Sequence, residues 1–562
     1  MSSITISNKA QLGQEPSLFK SRWDTTQPGS ANDTVVLPLV SDGSYNFDVD
    51  WGDGNRDNIT TYNQSEVTHQ YSNTGIYEIR IKGDITGWEF FNAGDDDKII
   101  EINKWGPLRF VSNDIRIFRG CSNLVLTATD SLTLGASNAS QMFISCPHLG
   151  SAGDMNSWDT SSCTDMNYMF MQSTGFNQPI GGWDTSNVTS MRDMFSDENG
   201  GMTFDQDIGS WDVSNVTNML NMFRKSLFVT NGRINSFNNG GSPSISGWNT
   251  SKVTNMQSMF EDCGQFNQPI GSWDVSKVTN MQSMLAKAIS FDQDLSDWDV
   301  SGVTNMSTMF RQCPFTNGGS TGINNWDTRS VTTMRYMFMQ TSFNQPIGSW
   351  NTSSVTDMEY MFINTTGFNQ PIGGWDTSNV TTMRGMFWRE AGGMTFDQDI
   401  GSWDVSNVTT MQETFGMSAF VTQVQRPYFN NGGSSSISGW NTGKVTTFYR
   451  MFEGNSGINQ PIGAWDTSSV TNINNMFFKA SSFDQDLSNW VVTGVTSASD
   501  FMTNITLSTT NYDSTLGGWS SQAVQNGVSI SFGNSQYSNA TGLAYRNALI
   551  ASGWTITDGG AA

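Results

Sequence analysis

Histidine is nearly missing, with two residues in a chain of 562. That number excludes a histidine-rich metal site. His69 falls in an alternating segment and His148 in a fading repeat, so both read as structural. Basic residues are scarce too: 28 Lys and Arg stand against 51 Asp and Glu, for a net charge of −23. Nucleic acids and anionic membranes are bound through a basic footprint, so neither is the expected partner. The five cysteines are Cys121, Cys146, Cys163, Cys263 and Cys313. They have no zinc-site spacing and are too few for a disulfide framework, so they read as buried small apolar residues. No apolar run is long enough to span a bilayer. The opening MSSITISNKAQLGQEP has no basic stretch followed by an apolar one, and 555–562 carry no anchor signal. The expectation is a soluble chain with no visible signal peptide and no membrane insertion.

Gly, Trp, Phe and Met are plentiful, at 55, 20, 35 and 30 residues. Charged residues make up only 14% and hydrophobic ones 36%, a balance that argues against charge-driven disorder. The length is too great for one compact domain, so several domains or an elongated repeat are expected.

The repeat is plain. A unit F-[ND]-Q-[PD]-[IL]-x-x-W-[DN]-x-S-x-V-T-x-M-x-x-M-F recurs, with its Trp at 158, 183, 211, 248, 273, 298, 326, 350, 375, 403, 440, 465 and 490. The steps are 25, 28, 37, 25, 25, 28, 24, 25, 28, 37, 25 and 25 residues, and the series 28, 37, 25, 25 starts at Trp183 and again at Trp375, 192 residues on. A block of about five units was therefore duplicated with its insertions. Within a unit, Ile208 to Val213 reads as a strand, Ser214 or Asn215 as a cap, and Val216, Met219, Met222 and Phe223 as one face of a short helix. Such units bury their apolar faces only by stacking. The central Gln of each FNQP or FDQD box, as at Gln206 and Gln293, is expected to join a ladder of stacked amides. The box acids Asp205/Asp207, Asp292/Asp294, Asp397/Asp399 and Asp484/Asp486 are oxygen ligands of the kind Ca²⁺ takes. The FNQP boxes lack them, so no cofactor is expected. The same holds for the acids Asp48, Asp50, Asp53 and Asp57 around one turn, which are not at EF-hand spacing.

The ends differ from the repeats. VDWGDG, HQY and GIYEIRIKG alternate apolar and polar residues, a small antiparallel β-sandwich pattern. FRGCSNLVL and MFISCPHLG read as degenerate capping turns. After Phe501, NYDSTLGGW, FGNSQYS and LAYRNALIASGWTITDGG read as a mixed cap. The expected organisation is an arm over 1–18, a β-sandwich over 19–92, degenerate repeats over 93–150, the repeats over 151–503 and a cap over 504–562.

These residues carry a resemblance. The WDxSxVTxMxxMF unit, over about 99–503, resembles the BspA-like leucine-rich-repeat surface proteins and the related Mycoplasma lipoprotein-associated repeats. The VDWGDG…HQY…GIYEIRIKG segment resembles a PKD-type β-sandwich domain, and the tail resembles the terminal module of bacterial members. The resemblance implies an α/β leucine-rich-repeat solenoid, about thirteen strand–short-helix units here. It also implies no enzymatic activity, and adhesion or recognition at a surface. The expected partners are a cell-surface protein or glycan, or neighbouring subunits. The expected location is extracellular or on a virion surface, as in a phage tail fibre or spike. The other reading is a purely structural virion or surface-layer protein whose repeats mediate assembly. Loops inserted in repeats often carry function. The insertions 224–242, 416–434 and 388–395 hold Arg and aromatic residues, the types enriched in binding hot spots. They make Phe228, Arg233, Phe237, Trp388, Arg389, Arg426, Tyr428 and Phe429 the candidate binding residues.

Overall fold

The computed structural model describes residues 17–110, 116–134, 138–197, 201–225, 236–390, 395–418 and 429–562. The chain divides into two units: Met1–Val188 with Met194–Asp197 and Met202–Gln206, and Asp207–Ala562 with Thr189–Asp193 and Glu198–Gly201.

The first unit begins with nine strands: β1 (Phe19–Asp24), β2 (Thr34–Val36), β3 (Ser44–Asp50), β4 (Arg56–Ile59), β5 (Thr68–Gln70), β6 (Ile76–Thr86), β7 (Ile99–Lys104), β8 (Leu108–Arg109) and β9 (Val125–Leu126). Along β3, Tyr45, Phe47 and Val49 are buried and their neighbours exposed, the period of a half-buried strand. The order is β4-β3-β6-β1-β7-β9, with β8 beside β6, while β2 and β5 form a separate two-stranded ribbon. The expected sandwich is thus one open seven-stranded sheet with a small ribbon. β7 joins that sheet through β1, so it runs past residue 92. The acids of the VDWGDG turn serve the turn itself. Asp50 accepts from Arg56, Asp57 from the Trp51 indole, and Asp53 from Asn55, with His69 Nε2 2.9 Å away.

Lys98 is fully buried in this unit. Its Nζ donates to the carbonyls of Ala31 and Thr34 at 2.8 Å, with Ser30 O at 3.1 Å and Ser30 Oγ at 2.9 Å. The buried Asp95 carboxylate lies 3.7 Å from it and accepts from the Ser30 and Val36 amides. The ammonium thus gathers loop carbonyls as a bound cation would. Removing one partner of a buried pair leaves an uncompensated charge. Lys98→Met is expected to cost about 3–5 kcal/mol in urea unfolding of this unit.

The repeats contain neither of the predicted elements. From Thr127 to Leu507 the described residues hold no β-strand and no α-helix, only turns, short 3₁₀ segments and isolated bridges. The chain is therefore not an α/β leucine-rich-repeat solenoid of strand–short-helix units. The physical reason lies in where the M-x-x-M-F amides go. Met334, Tyr336 and Phe338 donate to the carbonyls of Asp357, Glu359 and Met361 in the next repeat, while Met337 and Met339 close turns onto Met334 and Tyr336. A helix would spend every amide four residues back along its own chain. Here alternate amides leave for the neighbour. The i, i+3 apolar spacing reflects consecutive turns, each with a left-handed residue at its third position, such as Tyr336 at φ 57° and Gln340 at φ 56°.

Neighbouring repeats are joined by parallel bridges that run in the second unit from Ser190↔Asn218 through Asn255, Asn280, Asn305, Thr333, Asp357, Thr382, Thr410, Thr447 and Asn472 to Ser497. The Thr of each V-T pair donates its amide and its hydroxyl to the Thr carbonyl one repeat earlier, as Thr304 does to Thr279 and Thr332 to Thr304. The Trp indole donates to a carbonyl of the preceding repeat in most units, as Trp298 does to Ile270 O at 2.9 Å and Trp350 to Ile323 O at 2.8 Å, while the Trp158 and Trp440 indoles make no hydrogen bond. The two Phe of each unit stack within the repeat, Phe338 on Phe343 at 3.9 Å, and across repeats, Phe338 on Phe362 at 5.6 Å. In the first unit Phe118, Phe143 and Phe170 stack on one another in the same way, so the degenerate turns share this packing. The five cysteines are buried and free.

The box glutamines do not stack on one another. Gln268 Nε2 donates to Asn238 and Gln293 to Asn267, pairing each Gln with the box Asn one repeat earlier. The acidic boxes have their own partners. Asp292 accepts from the Thr316 and Gly318 amides, and Asp397 from those of Asn430 and Gly432. Asp207 and Asp399 bind the insertion that follows through Ser244 and Asn239 and through Ser436 and Asn431, and Asp294 does so through Asn317. FDQD thus stands where the next turn is longer, and its carboxylates fasten that turn. Among the described residues no group of three or more His, Cys, Asp or Glu is placed to hold a metal ion.

After Leu507 come helix α1 (Thr509–Ser520), strand β10 (Ser529–Ser531), helix α2 (Gly542–Ala551) and strand β11 (Thr555–Thr557), with β10 and β11 parallel. α1 continues the repeat in another conformation. Trp519 donates its indole to Leu487 O, and Thr515 Oγ1 accepts from Leu487 N, as Asn317 Oδ1 does from Leu295 N.

Hydrogen bonds from Ser436 and the Gly401 amide hold the Asp399 carboxyl below its ordinary value, and Asp207 and Asp294 are lowered in the same way by Ser244 and Ser296. A lowered folded-state pKa means stability present above the unfolded value and lost as pH falls through the folded one. Asp399→Asn is expected to lower the urea midpoint most near pH 7 and least in the acid range, so that its drop on acidification is flatter.

Candidate functional site

The M-x-x-M-F motif leaves two letters free. The side chains at these positions lie on one face of the second unit, and the second letter always takes the left-handed conformation: Asn221, Ser258, Ser283, Thr308, Tyr336, Tyr360, Gly385, Glu413 and Arg450 have φ between 53° and 61°. Their amides are tied to the next repeat, so the side chains stand on a fixed backbone. From Asn221 to Thr308 the second letter is a small polar residue. From Tyr336 to Arg450 the face is aromatic and charged.

There the Tyr336 and Tyr360 rings stack at 5.0 Å and 10°. The Arg335 guanidinium lies 5.0 Å from the Tyr336 ring centre and that of Arg384 5.3 Å from the Tyr360 ring centre. Arg335 Nη1 pairs with Glu359 Oε2 at 2.8 Å. Tyr360 Oη donates to Glu413 Oε2 at 3.2 Å, and Arg384 Nε stands 3.7 Å from the same oxygen. Arg450 pairs with the buried Glu453 at 3.1 Å. Burial pushes the Glu359 carboxyl up, against the lowering effect of Arg335. Burial, followed by the Glu413 charge, raises the Tyr360 phenol, which therefore stays protonated and able to donate.

Gly385 opens the site. A Cβ there would lie 2.1 Å from the Tyr360 ring, so the missing side chain is the space the tyrosine occupies to reach Glu413. The result is a groove of about 460 Å³ lined by Tyr336, Tyr360, Arg384, Glu413, Arg450 and Trp388, among others. The earlier copy of the duplicated block has different residues at the matching positions 192 before: Asp193 for Gly385, Asn221 for Glu413, Ser258 for Arg450 and Ser196 for Trp388.

Of the described residues that the sequence put forward, only Trp388 lines this groove. Phe237 and Phe429 are corrections. Both are fully buried, stacked on Phe223 at 3.7 Å and on Phe415 at 4.1 Å. They are the box Phe of their units, displaced along the sequence by the insertion. Arg389 is also buried, donates through Nη1 to Thr365 O at 2.6 Å, and has its pKa pulled down by burial. Phe228, Arg233, Arg426 and Tyr428 lie outside the described residues. Tyr336, Tyr360, Arg384, Glu413 and Arg450 of the groove stand at the motif's free letters, outside the insertions whose Arg and aromatic content signals a binding loop. Comparing the two copies of the duplicated block would have marked Gly385, Glu413 and Arg450.

The core and the groove should respond differently to truncation. Phe429→Ala is expected to cost about 3–5 kcal/mol, whereas Tyr360→Ser should stay within about 1 kcal/mol, both read from urea unfolding.

Among the described residues no helix is long and apolar enough to cross a membrane. No curated protein and no solved structure matches the chain. The family model described as "Mycoplasma protein of unknown function, DUF285" matches residues 137–242, 230–319, 315–428 and 422–542, together spanning 137–542. With well over half its length matched in four tandem segments, this chain belongs to that family of repeat proteins.

Proposed function

We propose that the protein is a non-enzymatic recognition protein that acts at an extracellular or virion surface and binds a cell-surface protein or glycan. The observation that carries this reading is the face formed by the free letters of M-x-x-M-F. The rest of the unit is nearly invariant because each residue serves the next repeat, while at this face Gly385, Glu413 and Arg450 replace Asp193, Asn221 and Ser258 of the earlier copy, and Tyr360 and Arg384 match Tyr168 and Arg192. Tyr and Arg on a rigid backbone lose little entropy on binding and are the usual anchors of an interface. The BspA-like resemblance of the repeats supports the same reading, since it implies adhesion or recognition at a surface.

The test is binding of the purified full chain to an array of extracellular-matrix proteins and defined glycans. Saturable binding to at least one feature is expected, and a Tyr360→Ser/Arg384→Ser variant that keeps its fold should lose it. Binding to no feature, or binding that the double variant retains in full, would contradict the proposal.

A further inference from the structure

We infer that the groove beside Gly385 is a binding site for a neutral saccharide. The inference rests on the recognition reading above and names its ligand class.

The volume of about 460 Å³ lies within the range of about 300–1,000 Å³ that small-molecule sites occupy. One wall is the stacked pair Tyr336 and Tyr360, with Met339 and Ile363 beside it. Such a wall suits the C–H-rich face of a pyranose ring. The polar groups are few and held in place, as ligand orientation requires. Tyr360 Oη is fixed by Glu413, and Arg450 by Glu453. Arg384 supplies a donor with an open valence: its Nε–H is buried and makes no hydrogen bond, the carboxylate at 3.7 Å being too far. A buried donor left unpaired is costly, and an incoming hydroxyl oxygen would satisfy it.

The charge pattern selects the class. The charged residues of the lining are Arg384 and Arg450 against Glu390 and Glu413, two cations and two acids, and Arg450 also pairs with Glu453 behind it. The groove has no excess of cations to hold a phosphate, a sialic acid or an acidic peptide, and the whole chain carries −23. An organic cation would meet the Arg384 and Arg450 guanidiniums. Adjacent donors and acceptors without net charge match the vicinal hydroxyls of a neutral sugar, each of which both donates and accepts.

Gly385 makes the space, so filling it is the sharpest variant. Gly385→Asp installs the residue that the earlier copy carries as Asp193, at a φ of 54°, against 57° at Gly385. The backbone therefore tolerates it while Tyr360 must move. The probes are the methyl glycosides of glucose, galactose, mannose and N-acetylglucosamine, with N-acetylneuraminic acid as the acidic comparison. Their binding to the full chain is read by saturation-transfer NMR and calorimetry. At least one neutral glycoside is expected to bind saturably, and Gly385→Asp should weaken it tenfold or more with an unchanged circular dichroism spectrum. Tyr360→Ser should do the same if Gly385→Asp fails to fold. Binding of no neutral glycoside, preference for the acidic sugar, or binding that both variants leave intact would each overturn the inference. If array binding still depends on Tyr360 and Arg384 while no glycoside binds, the ligand class fails and the recognition face stands. Loss of that array dependence would instead remove the recognition reading itself.

Discussion

Every repeat depends on its neighbour for its hydrogen bonds. The Thr amide and hydroxyl, the Trp indole in most units, and alternate amides of M-x-x-M-F all find their acceptors one repeat away. A buried polar group without a partner costs more than a made bond gains. A single unit of this sequence therefore has no stable form of its own. Stacking satisfies these groups and, in the same step, brings the Phe and Trp rings into columns. The invariance of the motif follows from this requirement, because a change at Trp, Thr or Phe disturbs two units at once.

The same constraint explains the irregular spacing. The stretch from box Phe to Trp lengthens from 7 residues, as in Phe204 to Trp211, to 11 before Trp248, Trp326 and Trp440, where the turn finds other partners. The FDQD boxes provide them: their carboxylates accept from Thr316 and Gly318, from Asn430 and Gly432, and from the Ser and Asn side chains of the inserted 3₁₀ segments. Four acidic boxes precede four departures from the short turn, the last being helix α1, where Ser508 and Ser514 take the place of the insertion's donors. The carboxylates that looked like cation ligands in the sequence are thus consumed by the chain itself.

What was legible in the sequence was the repeat, its thirteen tryptophans and the burial of its Met and Phe. The local conformation was not. Val216, Met219, Met222 and Phe223 have helical spacing, yet a pair of turns puts the same residues inward, and sequence spacing alone cannot separate the two. The decisive information is the destination of the amides, which is set by the neighbouring repeat. Phe237 and Phe429 were misread for a related reason: each insertion moves the box Phe away from its Trp, so a core residue looked like a loop aromatic. The groove escaped notice because no residue in it is unusual alone. Tyr360 matters through the space left by Gly385, and that relation appears only when the turns are stacked.

The central claim is that M-x-x-M-F bonds between repeats rather than within a helix. Through-hydrogen-bond scalar couplings on deuterated, isotope-labelled protein test it most directly. The account predicts a coupling from the Tyr336 amide nitrogen to the Glu359 carbonyl carbon, and from Phe338 to Met361. Couplings from Tyr336 to the carbonyl of Thr332, and from Phe338 to that of Met334, would be those of an α-helix and would contradict it.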